Sequence, residues 1–90
     1  MVDNKSNRMF RLPDVRETTG FCKSSIYGRI KRGLLPPPVH IGERASGWPS
    51  AEINTIVAAQ IAGKSEDVIR ALVSQLIEDR KTVFRGNETF

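Results

Sequence analysis

Apolar and polar positions along this 90-residue chain follow two different rhythms, and the change of rhythm marks the elements. Residues 1–8 are polar and aperiodic, which predicts a flexible arm. Met9 to Leu12 (MFRL) suits a short strand. Pro13 fits the first turn of a helix, where its missing N–H costs nothing, and Gly20 fits a left-handed stop, so a two-turn helix is expected over 13–19. Lys23 to Arg32 (KSSIYGRIKR) then places Ile26 and Ile30 on one face of a second helix, which Gly33 closes. Pro36, Pro37 and Pro38 forbid helix and force an extended path. Two helices joined by about three residues that include a glycine form a helix-turn-helix.

From residue 38 the rhythm shortens to two. Val39 and Ile41 alternate with polar neighbours, Glu43 to Ser46 make a turn, and Gly47 to Pro49 return. A hairpin in this place is a wing. Ser50 is expected to cap a third helix with its hydroxyl, and Glu52 to complement the helix dipole. Ile53, Ile56, Val57 and Ile61 form the apolar stripe of that helix, and Gly63 ends it. Ser65 caps a fourth helix over 65–81, where Val68, Ile69, Leu72, Val73, Leu76 and Ile77 give the strongest periodic signal in the chain. Residues 82–90 carry no pattern and read as a flexible tail. The prediction is one domain over 9–81, mainly α with a small β-hairpin wing: a winged helix-turn-helix plus a C-terminal helix.

Composition supports folding and narrows function. Leu, Ile, Val and Phe make up 24 of the 90 residues, above the level (about 20%) at which charged chains stay disordered. The longest unbroken apolar run, Ile56 to Ala59, is far too short for a membrane span. The first fourteen residues lack the apolar core of a secretory signal, and the single cysteine, Cys22, has no internal disulfide partner. Those features fit a cytoplasmic protein with no membrane partner. The net charge of +4 is uneven: residues 1–49 hold nine Lys/Arg against four Asp/Glu, and residues 50–90 hold five against six. A basic half is either the footprint of a polyanion, usually nucleic acid, or a solvated surface kept for solubility.

The second helix carries the nucleic-acid reading, against the alternative that its outward residues are merely solvated. Opposite Ile26 and Ile30 lie Ser24, Ser25, Gly28, Lys31 and Arg32, with Lys23 and Tyr27 on one flank and Arg29 on the other. Small polar residues near the N-terminus and cations near the end suit a helix entering the major groove of double-stranded DNA N-terminus first. Gly28 permits close backbone approach. At the wing (42–47), Arg44 can reach a minor groove or a phosphate, with Ser46 beside it; otherwise it pairs with Glu43 on the surface or with nothing at all. Trp48 reads as packing the wing onto the core, and Tyr27 as packing its ring against the wing while its hydroxyl reaches a phosphate. The catalytic readings are poor. One histidine, His40, and one cysteine make no zinc site, no Gly-rich phosphate loop is present, and neither an enzyme nor a cofactor is expected. The fourth helix has more apolar positions than one edge of a small core usually takes. Val68, Leu72, Val73 and Leu76 are therefore candidates for self-association or for another protein, or simply for core packing.

Arg11 to Ile56 resembles the AlpA family of prophage regulators, small proteins related to excisionases. The resemblance rests on Arg11-Leu12, Val15 and Thr19-Gly20; on Ser24, Ile26-Tyr27 and Gly33; on Pro36 and Pro38; and on Gly42, Arg44, Gly47-Trp48 and Glu52. MerR-type regulators share the layout and the GLLPP step, but they usually add a Tyr-rich end to the second helix and a long coiled coil, both absent here. The resemblance implies an excisionase/MerR-like winged helix-turn-helix of a phage or genomic island, in the bacterial cytoplasm and associated with the nucleoid. It implies a transcriptional regulator, for example of an integrase gene, or a recombination directionality factor that bends attachment-site DNA. The alternative is a protein-interaction module that inhibits or recruits an integrase or response regulator through the C-terminal helix. Carried over position by position, the DNA-facing residues are Lys23, Ser24, Ser25, Tyr27 and Arg44. Two positions depart from the pattern: Cys22 stands where the family usually has a capping serine, and Gly28 where it often has a basic residue.

Overall fold

The chain turns where its backbone chemistry demands it. The computed structural model describes residues 8–86, and the side chains of residues 8–81. Its elements are β1 (Met9–Phe10), α1 (Leu12–Thr19), α2 (Lys23–Lys31), β2 (Val39–His40), β3 (Ser46–Pro49), α3 (Ser50–Ile61) and α4 (Glu66–Gly86). Gly20 closes α1 at φ 79°, a left-handed conformation that costs other residues energy, and its N–H bonds to the Arg16 carbonyl at 2.8 Å. The three residues after α1 then carry the chain into α2. This is the expected helix-turn-helix, with Val15 and Ile26 facing each other's core and fully buried.

The wing is larger than a hairpin. β2 pairs with β3 as expected, Val39 opposite Gly47 and His40 opposite Ser46. β1 also pairs with β3, Met9 opposite Pro49 and Phe10 opposite Trp48, so the sheet has three strands in the order β1-β3-β2. Gly47 makes this possible: its Cα sits so close to β1 that a Cβ there would lie 2.9 Å from the Phe10 carbonyl oxygen. The pairing runs one step past the strands. The Ser50 N–H donates to the Arg8 carbonyl at 2.6 Å, and the Arg8 N–H donates to the Ser50 hydroxyl at 2.8 Å.

That contact corrects two expectations. Arg8 belongs to the folded body and not to an arm; the rest of the expected arm, residues 1–7, lies outside the described residues. Ser50 does not hold the cap position of α3, which falls to Pro49, because the Ser50 hydroxyl faces the incoming strand. A third correction concerns Ile61, which is 82% exposed. It lies at the last residue of α3, about 80° around the helix from Ile53, and the chain turns away immediately after it.

Among the described residues, ten apolar side chains form the core. Each helix contributes: Val15, Ile26, Ile53 with Ile56, and Ile69 with Val73. Leu34 and Leu35 from the segment after α2, and Phe10 and Trp48 from the sheet, complete it. Val73, expected on a partner surface, is therefore a core residue, because it faces α3 along with Ile69. Leu72 and Leu76 pack half-buried against the same core, and only Val68 of the expected partner set is exposed. Ser65 caps α4 as read, its Oγ accepting from Val68 N at 3.3 Å. The helix runs on to Gly86, so residues 82–86 are helical and not tail; nothing from Glu66 to Arg85 breaks a helix, and residues 87–90 lie outside the described part. Glu52 does more than meet a dipole. Its carboxylate, 8% exposed, receives two bonds from Arg80, Nε to Oε2 at 2.8 Å and Nη2 to Oε1 at 2.7 Å. Among the described residues no helix is long and apolar enough to cross a membrane.

Two substitutions test the sheet. Gly47→Ala forces β1 off β3, and such overpacking costs ~1–3 kcal/mol. Trp48→Phe removes the ring N–H that donates to the buried Pro36 carbonyl at 2.9 Å, which costs ~1–3 kcal/mol. Both lower the midpoint of urea unfolding followed by circular dichroism. A wild-type midpoint in either variant would show that the wing does not depend on that contact.

Candidate nucleic-acid interface

α2 presents one face to the core and the other to solvent. Ile26 is fully buried and Ile30 half-buried, while Lys23, Ser24, Ser25, Tyr27, Gly28 and Lys31 are all exposed. Tyr27 is 45% exposed. Nothing lies within 4 Å of the place a Gly28 Cβ would take, so bare backbone stands in the middle of the exposed face. Lys23 and Lys31 have no ion-pair partner among the described residues.

Arg32 is placed differently. It follows the last residue of α2, and its Nη2 lies 3.1 Å from Glu66 Oε2 on α4, so its charge is already matched. Arg29 is also engaged, its guanidinium 4.1 Å above the Phe21 ring. The α2 surface thus sorts its cations: Lys23 and Lys31 are free, while Arg29 and Arg32 brace the helix ends.

The wing repeats this sorting. Arg44 is exposed in the turn between β2 and β3 and forms no ion pair with Glu43. The turn is closed by the Ile41 N–H donating to the Ala45 carbonyl at 2.9 Å. Ser46, expected at the tip beside Arg44, instead begins β3 opposite His40 and is half-buried, because the turn is centred earlier, on 42–45. Two further cations are exposed, Arg11 at the N-cap of α1 and Arg16 in its last turn; the sequence reading did not place either among the DNA-facing residues.

Cys22 sits at the N-cap of α2 and makes no side-chain capping bond, as expected of a thiol in a serine's place. Its Sγ lies 3.5 Å from the hydroxyls of both Ser24 and Ser25. The Ser24 hydroxyl and then the Ser25 hydroxyl stabilise the thiolate and bring its pKa down to about 6. Periodicity carries no signal for that acidity; a cysteine at a helix start with serines two and three residues further on does. Among the described residues no group of three His, Cys, Asp or Glu side chains is placed to hold a metal ion.

The chain matches the family described as prophage CP4-57 regulatory protein (AlpA) over residues 8–61. It is 34% identical over 64 residues to the uncharacterized protein ORF88 of Enterobacteria phage P4, a match that covers 71% of this chain and 73% of that protein. No solved structure matches the chain. The family span takes in β1 through α3, hence the whole helix-turn-helix and wing, and leaves α4 outside.

The alkylation rate of Cys22 by iodoacetamide is expected to rise with pH about a midpoint near 6, well below the ~8.5 of an unperturbed cysteine. Replacing Ser24 and Ser25 by alanine moves the midpoint upward. A wild-type midpoint near the ordinary thiol value would show that the two hydroxyls do not hold the thiolate.

Proposed function

The chain belongs to the AlpA family of prophage regulatory proteins, and from that membership we propose that it is a sequence-specific reader of double-stranded DNA with no catalysis of its own. α2 enters the major groove. Ser24 and Ser25 reach base edges or phosphates near its N-terminus, and Lys23, Tyr27 and Lys31 address the backbone alongside. Gly28 lets the helix approach closely. Arg44 carries the wing to the flanking minor groove or phosphates. Ser46 supports the wing strand from inside, and Arg32 contributes by holding the end of α2 and not by free charge. The observation that carries this reading is the two-sidedness of α2: one face sealed in the core, the other a run of small polar residues, bare backbone and unpaired lysines.

A protein this small offers few base contacts, so specificity draws on repeated sites and on the energy of bending DNA. Bending serves both roles that the family suggests for a phage or genomic island: placing polymerase at an integrase promoter, or shaping an excision complex at an attachment site. The bound fragment identifies which of these the protein serves.

Binding to overlapping fragments of the DNA around the protein's own gene, at two salt concentrations, tests the proposal. One fragment is expected to bind far more tightly than its neighbours. Lys31→Ala combined with Arg44→Ala is expected to weaken that binding and to reduce the slope of log affinity against log salt by about 2. Equal, weak, salt-erased binding to every fragment would overturn the proposal.

A further inference from the structure

We infer that Arg70 and Arg80, ten residues apart on α4, are positioning residues that set the spacing between the recognition helix and the wing; the inference rests on the DNA-reading function proposed above. The segment that joins those two DNA-facing elements runs from Arg32 to Pro38. Its middle, Leu34, Leu35 and Pro36, is buried. Its two ends are held from α4. Arg70 Nε donates to the Arg32 carbonyl at 2.9 Å, and Arg80 Nη2 donates to the Pro37 carbonyl at 2.8 Å. The first is the cap residue of α2, where helical carbonyls lose their partners. The second lies two residues before β2.

Both guanidiniums are themselves fixed. Arg70 Nη2 lies 3.6 Å from Glu66 Oε1 and its Nη1 3.4 Å from Asp67 Oδ1. The aliphatic stem of Arg70 covers Gly33, with Cγ 3.7 Å from where a Cβ would stand. Glu66 also takes the Arg32 side chain, so α4 grips the end of α2 by its backbone and by its side chain. Arg80 is clamped by the two-pronged contact with buried Glu52 at the start of α3. The donors are therefore aimed at two carbonyls, and neither arginine is left free for phosphate.

Ten residues of α-helix span about 15 Å and resist stretching. α4 thus serves as a ruler laid along the connector. A reader that uses a helix in one groove and a wing on the flanking backbone must hold the two at a separation that DNA dictates, and short loops alone do not fix such a distance well. The helix that supplies both arginines lies outside the span matched by the family.

The experiment is a hydroxyl-radical footprint, with a salt titration, of the full-length protein on the fragment selected above. Arg70→Ala removes the first contact. Because removing Arg80 alone strands the buried Glu52 charge, the second contact is removed by Glu52→Leu with Arg80→Met, a swap of a buried pair for apolar groups that folds usually accept. Folded fraction is measured by circular dichroism. In both variants the protection under α2 is expected to remain while protection on the wing side weakens or shifts, and the salt slope falls by about 1. Wild-type wing protection and salt slope in both variants, with any affinity loss matching the unfolded fraction, would overturn the inference and leave the DNA-reading function standing. A wild-type protein with no localised footprint would overturn both.

Discussion

Trp48 lies on the central strand of the sheet, 1% exposed, and its ring N–H donates to the Pro36 carbonyl at 2.9 Å. A buried indole N–H needs a partner, and a buried proline carbonyl has no strand or helix to bond to. Each group thus supplies what the other lacks, and the bond joins the strand leading into α3 to the segment leaving α2. Phe10 on β1 stands opposite Trp48 in the ladder, and Gly47 beside it stands opposite Val39 on β2. Both outer strands are therefore registered on the residues around this ring. The burial of this side chain ties the wing to the body at the strand that both outer strands pair with.

The cations divide into two groups by what they touch. Arg32, Arg70 and Arg80 are paired with Glu66, Asp67 and Glu52 and bind elements of the fold to one another. Lys23, Lys31 and Arg44 have no such partner among the described residues and stand exposed on α2 and in the turn between β2 and β3. Net charge alone does not separate these groups. A surface pair contributes little to stability, so the value of the Arg32–Glu66 contact lies in where it holds the end of α2. The Glu52–Arg80 pair differs, since its carboxylate is buried. Replacing such a pair with apolar groups is often neutral, whereas breaking it by losing one partner is costly. Its benefit is geometric, because the clamped guanidinium also holds the Pro37 carbonyl.

Cys22 adds a departure in local chemistry. A thiolate at the N-cap of α2, favoured by the two serine hydroxyls, places negative charge where a serine would place a neutral hydroxyl. The capping bond it forgoes costs ~1 kcal/mol, and the full burial of Ile26 holds the helix to the core.

Sequence by itself determined the elements whose signals are local. Gly20 and Gly33 ended the first two helices, three prolines forced the extended step, and the spacing of Ile26 and Ile30 assigned the faces of α2; the motifs from Arg11 to Glu52 carried the family. Each of these depends on residues within about one or two turns of one another, which a periodicity can encode. Tertiary structure decided the rest. β1 found its partner forty residues away, Ser50 gave its hydroxyl to Arg8 and not to a helix cap, and Val73 turned into the core while Ile61 turned out of it. Glu52 and Arg80 met across 28 positions, and two arginines of α4 reached the carbonyls of a proline-rich connector. No local pattern announces such contacts, because they exist only once separate elements have packed and placed distant polar groups within bonding distance.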